Sequence, residues 1–267
     1  MSVVELERVE AAACADLHRA APPELAERYG IRAVEVAGAT CRAVAALPGV
    51  RMLNHVVGLG VGAPAPEGAI DEIDAFYRSA GCRYAVGLSP EARPHDLPAR
   101  LRARGFAADL AWVKFARAVQ PPPPVRTDLA IAAVEPTWAS DFGRVVMEGF
   151  GLPDWAGEWI AGVVGRPRWT CYVAWDGDAP VAAAALYAAD AVAWLGLGAT
   201  LPEQRGRGAQ GALIARRVAR AGELGCALVV TETGAPVEGR PGPSYRNILR
   251  SGFSARYQRP NWRSPGR

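Results

Sequence analysis

Between Leu201 and Gly208 the chain reads LPEQRGRG, a loop with a proline, two glycines and two arginines. Those residue types suit the binding of an anion. Before the loop stands a short apolar run, 193–199, of strand length. After it, 209–224 has Ile214, Val218 and Ala221 on one helical face, with Leu213 and Leu224 beside them. The amides of a first helical turn lack partners inside the helix, and the helix dipole adds positive potential there. Gly206 and Gly208 let the backbone approach a phosphate in conformations closed to other residues. Arg205 and Arg207 add charge from the flanks. The stretch reads as a pyrophosphate cradle.

Two kinds of protein carry such a loop. Gly206, Gly208 and Gly211 satisfy G-x-G-x-x-G, and Glu232 stands about 20 residues on, where a Rossmann fold holds a ribose. That version needs its first glycine at the strand end, whereas residues 201–205 intervene here. It also needs more βα units after Glu232 than the chain has left. The stretch ATLPEQRGRGAQGAL instead resembles the acyl-CoA-binding motif of the GNAT superfamily of N-acetyltransferases. There a Q/R-x-x-G-x-G/A loop follows a splayed strand and opens a helix. Gly206 and Gly208 fit. Glu203 stands at the first position, a departure with little effect on a loop that works through backbone amides.

The resemblance implies acetyl-CoA as acyl donor, an amine of a small molecule or protein as acceptor, and no metal. It places the pantetheine arm on Leu197, Gly198, Ala199 and Thr200, with 227–231 as the diverging strand. The pyrophosphate falls to Arg205, Gly206, Arg207, Gly208, Ala209 and Gln210, and Asn247 bonds the arm from a late helix. Acyl transfer to an amine needs a neutral amine, a donor for the oxyanion and a proton for the leaving thiolate. Family members often take that proton from a tyrosine four residues before the late Gly-Phe; before Gly252-Phe253 that place is held by Ile248. Tyr245, one helical turn earlier, and Tyr257 are the substitutes. No carboxylate lies between Trp194 and Thr200, so Glu232, at the end of the next strand, is the candidate base. Trp155 and Trp159 fall in the region that caps the acceptor cleft of GNAT folds and are candidate pocket walls. The other tryptophans read as core.

The elements that must position these groups follow from periodicity and turn residues. In the first half, helices are expected over 5–20, 24–29, 70–80 and 97–104, and strands over 31–36, 51–60, 84–88 and 111–118. Four prolines, Pro121 to Pro124, read as a semi-rigid linker. In the second half, strands are expected over 129–133, 169–175, 181–187, 193–199, 227–231 and 253–257. The 169–187 pair turns at Asp176-Gly177. Helices are expected over 138–150, 154–164, 209–224 and 245–250. The markers VVGLG, AGC and LRARGF recur in order as WLGLG, LGC and LRSGF, an internal repeat whose first copy carries GAPAPEGAI in place of RGRGAQGAL.

The expected fold is therefore α/β, with two GNAT-like domains in tandem, each a mostly antiparallel mixed sheet flanked by helices. Residues 1–118 form a degenerate domain without a cradle, 119–126 the linker, and 127–267 the acyl-CoA-binding domain. With 267 residues, half of them hydrophobic, two cores can be filled. No apolar run reaches the roughly 20 residues of a membrane span, and the acidic N-terminus lacks a signal-peptide layout. A net charge of +3 makes no demand for nucleic acid. Cys14, Cys41, Cys82, Cys171 and Cys226 are scattered and read as reduced thiols. There is no G-x-S-x-G, no phosphate-binding G-x-x-x-x-G-K-[ST] and no zinc spacing, and His18, His55 and His95 all lie in the first half. The expectation is a cytoplasmic monomer or homodimer that uses neither nucleic acid nor membrane as partner. A non-catalytic acyl-CoA sensor is the alternative, motivated by the missing tyrosine and strand carboxylate. A Rossmann oxidoreductase is third.

Overall fold

The computed structural model describes residues 2–266 and divides into two compact units. One holds the residues up to Val113 together with those from Tyr257 on; the other is Lys114–Arg256. The four-proline run thus lies inside the second unit, and the last segment of the chain belongs to the first.

The first unit opens with α1 (Val3–Arg19), whose Ser2 and Glu5 form a capping box. α2 (Pro23–Tyr29) stops at Gly30, φ 63°. β1 (Ile31–Val36) and β2 (Ala39–Val44) make a hairpin closed by Ala37 and Gly38, φ 49° and 75°, the left-handed pair of a type I′ turn. β2 escaped the sequence reading. β3 (His55–Val57) is shorter than the strand expected over 51–60. Residues 51–54 form a turn tied by Asn54, which accepts from the Val44 amide at 2.8 Å and donates to the Leu47 carbonyl at 2.8 Å. α3 (Ala69–Ser79), β4 (Ala85–Gly87), α4 (Leu97–Ala103) and β5 (Ala107–Ala118) follow. β3 and β4 pair in parallel through His55↔Ala85 and Val56↔Val86.

The second unit contains β6 (Ala130–Ala133), α5 (Ala139–Phe150), α6 (Trp155–Ala161), β7 (Trp169–Asp176), β8 (Ala179–Ala189), β9 (Val192–Thr200), α7 (Ala209–Glu223), β10 (Leu228–Gly234) and α8 (Pro243–Arg250). β11 (Ser254–Arg263) closes the chain and runs well past the 257 expected for it. In this unit the strand order is β11-β5-β10-β9-β8-β7-β6, with β5 from Lys114 and β11 to Arg256. In the first unit it is β1-β2-β3-β4-β11-β5, with β11 from Tyr257 and β5 to Val113. β6 to β9 form an antiparallel meander, and β10 joins β9 in parallel. A strand–helix–parallel strand unit therefore occurs once in each half, β3-α3-β4 and β9-α7-β10, in the places the repeated markers indicate.

Helix α7 is the element that the site is built on. It starts at Gly208, which caps it in the left-handed region at φ 81°. It ends in a Schellman motif at Gly225, φ 77°, where the Cys226 amide reaches back to the Ala221 carbonyl at 2.9 Å. Its inner face buries Leu213, Ile214, Arg217, Val218 and Ala221, and Ala209 and Leu213 pack on Tyr172, Ala174, Ala182 and Ala184 of β7 and β8. On α5, Gly143 allows close crossing with α6: a Cβ there would lie 2.1 Å from the Gly157 carbonyl oxygen.

Candidate functional site

The sheet opens at β9. Its register with β8 runs through Ala185↔Gly196 and then Ala183↔Ala199, so Leu197 and Gly198 oppose the single residue Ala184. That is a β-bulge, and it leaves the extra residue outside the ladder. Leu197 sits at φ 51°, a left-handed angle that a leucine adopts only where its surroundings impose it. On its other edge β9 pairs with β10 through Val192, Ala193 and Trp194 against Leu228, Val229 and Val230. Beyond them the Thr231 hydroxyl donates to the Leu195 carbonyl at 2.9 Å, and the named pairing ends. A strand with a bulge on one side and a parting neighbour on the other offers backbone N–H groups to something other than a strand.

The chain leaves β9 through a 3-10 turn, Pro202–Gln204, and reaches α7 through Gly206 and Gly208, φ 87° and 81°. A cleft of about 820 Å³ lies here, walled by Gly198, Ala199 and Thr200, by the loop, by the first turn of α7 and by α8. Of the residues expected to hold the donor, Gly198, Ala199, Thr200, Arg205, Gly206, Gly208, Ala209, Gln210 and Asn247 all border it. Ser244 and Asn247 of α8 and Ser251, which caps it, border the cleft at helical spacing. Asn247 donates to the Gln210 side chain at 2.7 Å and so ties α8 to α7. Leu197 and Arg207 are not in the wall.

Three things in the cleft were not foreseen. Pro123, Pro124, Val125 and Arg126 form one wall, where the sequence suggested only a tether. They pack on the start of α7 so closely that a Cβ on Gly208 would lie 2.3 Å from the Arg126 carbonyl oxygen. Arg126 and Arg250 join Arg205 at the cleft, and no acidic residue lines it. The fourth arginine of the wall is Arg217, on the inner face of α7, only 4% exposed. Its spacing from Leu213 put it on that face already in the sequence, an arginine in an apolar stripe.

Arg207 has another task. Its guanidinium binds Asp128, Asp176 at 2.6 Å and the Gln204 side chain. Those bonds hold both carboxyls below the usual range, and they hold the Arg207 pKa above its ordinary value. The charge assigned to the phosphate is thereby spent on fastening the loop to the start of β6 and the β7–β8 turn.

Glu232 and Tyr245 do not border the cleft, and each of the three proton-carrying candidates has neighbours of its own. Glu232 accepts from the Lys114 ammonium at 2.9 Å and from the Trp194 indole at 3.0 and 3.1 Å. Lys114 is 1% exposed, so the pair is an interior one. The Trp194 ring covers Gly196, where a Cβ would lie 1.7 Å from it. Tyr245 stacks edge-on against Phe115 at 5.0 Å, off the cleft face of α8. Tyr257 belongs to the first unit and donates to Glu7 at 2.6 Å. Burial, then the Glu7 charge, pushes its pKa up, which makes it a reluctant acid. Trp159 is fully buried in α6 and Trp155 half-buried; neither borders the cleft, whereas Gly149 and Phe150 at the end of α5 do.

Among the described residues no group of three or more His, Cys, Asp or Glu is placed to hold a metal ion, and no helix is long and apolar enough to cross a membrane. The Rossmann alternative is corrected by topology, because β9 runs antiparallel to β8 and meets only one parallel neighbour.

Neither a family model nor a curated protein sequence matches the chain. Solved structures do. A GCN5-related N-acetyltransferase from Kribbella flavida is similar over 100% of this chain and 97% of its own, at a TM-score of 0.66 and 18% identity. A GCN5-related N-acetyltransferase from Sphaerobacter thermophilus is similar over 80% and 73%, at 0.60 and 15%. A tandem GNAT protein from the clavulanic acid biosynthesis pathway is similar over 86% and 80%, at 0.56 and 16%. The chain has the GNAT fold, a mixed α/β architecture with a mixed sheet flanked by helices.

Proposed function

We propose that this chain is an acyl-CoA-dependent N-acyltransferase with one donor site, in the unit Lys114–Arg256, and that the half before it is a GNAT-like domain without a cradle. One observation carries the reading. A bulged, parting strand, a loop with two left-handed glycines and a helix N-terminus meet at a cleft bordered by four arginines and no acid. That arrangement fits a ligand with a polyanionic end and a neutral arm that bonds to strand backbone. Acetyl-CoA is the probe of choice, and a small-molecule or protein amine the acceptor. In the transfer, the neutral amine attacks the thioester carbonyl, an N–H freed by the bulge meets the oxyanion, and the CoA thiolate departs. We assign the amine's proton to Glu232, which stands two residues past the last backbone pair of β9 and β10 and exchanges its Lys114 or Trp194 bond for it.

Titration of the protein with acetyl-CoA tests the donor site: saturable binding at one site per chain is expected, and no binding at tens of micromolar ends the reading. Glu232→Gln is expected to lower kcat by a factor of about 10² to 10⁴ with donor affinity nearly unchanged. The second reading, a non-catalytic acyl-CoA sensor, draws on the commitment of Glu232 to Lys114 and Trp194 and of Tyr257 to Glu7. Mass spectrometry of an amine panel with acetyl-CoA separates the two, because transfer above the uncatalysed rate rejects the sensor.

A further inference from the structure

Arg217 is a buried cation for which the described residues supply no anion. It is 4% exposed, and none of its contacts is to a carboxylate. Its Nε donates to the Leu213 carbonyl of its own helix at 3.0 Å. Its Nη1 donates to the Ala185 carbonyl at 2.9 Å and the Gly196 carbonyl at 3.2 Å. These two carbonyls belong to residues that pair across β8 and β9 immediately before the bulge. Its Nη2 makes no hydrogen bond to the described residues and would lie 3.9 Å from a Cβ placed on Gly198, which borders the cleft as Arg217 does. Burial pushes its pKa down to about 9, with Tyr172 and Cys171 acting the other way. A guanidinium taken from water needs its donors met, and an apolar residue would fill this stripe at far smaller cost. The two N–H groups of Nη2, out of five on the guanidinium, are the ones left without a partner among the described residues.

We propose that Arg217 is a donor-binding residue: it pins the β9 bulge through the two carbonyls and gives its second amino group to an oxygen of the acyl-CoA arm or acyl group. This rests on the reading of the cleft as an acyl-CoA site. The shared chemistry is an oxygen acceptor, either an arm carbonyl or a carboxylate on the acyl chain, at a depth that the phosphates do not reach.

The test compares Arg217→Met with the unaltered chain for acetyl-CoA, succinyl-CoA and ADP, the last reaching the phosphate cradle alone. Calorimetry serves the thioesters and ligand-observed NMR serves ADP. A loss of about 10- to 100-fold for the thioesters, with ADP within about threefold, is expected. Equal loss for both thioesters identifies an arm carbonyl, and loss confined to succinyl-CoA identifies the carboxylate. Parallel loss of ADP and acetyl-CoA means that α7 has merely been disturbed, and overturns the proposal. Unchanged thioester binding overturns it as well while the acyl-CoA reading stands. No binding by the unaltered chain removes both. Arg217→Lys, which keeps the charge without a second amino group, is read by the same ratio if the methionine variant does not fold.

Discussion

The two glycines of the loop do different work. Gly206 takes φ 87° with open space where a Cβ would go, so a side chain there strains the backbone by about 1–2 kcal/mol and fills the cleft wall. Gly208 takes φ 81° and also faces the Arg126 carbonyl, which a Cβ would approach to 2.3 Å. We expect Gly206→Val to abolish acetyl-CoA binding with a small fall in Tm. Gly208→Val should lower Tm markedly, because the wall 123–126 must move. A melt and a titration on each variant check this; indistinguishable melting curves would contradict it. The arginines divide in the same manner. Arg205 borders the cleft, whereas Arg207 is committed to Asp128 and Asp176. Arg205→Ala should cost about tenfold in donor affinity, more at low salt, and Arg207→Ala much less. A larger loss for Arg207→Ala would mean that it leaves its carboxylates to meet the phosphates.

At the scale of elements, β5 and β11 matter more than their places in the chain suggest. β5 from Lys114 on is the strand beside β10, and Lys114 meets the Glu232 carboxylate there. A chain begun at Val125 would leave β10 an open edge and Glu232 without its ammonium. We expect that shortened chain to aggregate, and one begun at Ala107, which keeps β5, to be more soluble. Sedimentation of both decides, and a monodisperse chain from Val125 would show that the strand is dispensable. β11 from Tyr257 on serves the first unit, where Arg259 binds Glu7 at 2.7 Å and Glu10 at 2.6 Å, all three at most 1% exposed. Removing Arg259 leaves two buried carboxylates without their cation, at a cost of about 3–5 kcal/mol.

For the molecule as a whole, two buried histidines set an acid limit. His18 lies between the Cys14 and Leu53 carbonyls, and His55 meets Asn261 at 2.9 Å. Burial first, and then the Arg42 charge, pushes each pKa down to about 3. The unfolded chain takes up these protons near pH 6.5, the ordinary value, whereas the folded chain does not. The stability they confer is therefore complete above that value and falls as pH drops toward 3. Each histidine removes on the order of 1.4 kcal/mol per pH unit over that window. Melts at pH 7, 6 and 5 should show a falling Tm, less steep in His18→Gln. A Tm constant to pH 5 would mean that the rings are protonated in the folded chain.

The cradle was legible because it is local. Glycine at Gly206 and Gly208, an apolar run before and a helical stripe after need only turn chemistry and period. The 169–187 hairpin, whose turn is Gly177-Asp178 and so one residue past the expected Asp176-Gly177, the repeated strand–helix–strand order and the α/β class followed from the same signals. The bulge at Leu197 did not, since it is a register between β9 and β8 and no residue in the run announces it. The partners of Arg207, Glu232 and Arg217 were equally hidden: Asp128, Lys114 and Ala185 are brought to them by strand pairing across long separations. Proline repeats carry no period, so 121–124 read as a tether although Pro123 and Pro124 wall the cleft with the two residues after them. Residue types and local spacing determined which chemistry the chain can attempt. Which side chains are spent on holding the fold and which remain for a ligand was decided by the tertiary structure, because a charge is committed by whatever long-range contact packing delivers to it.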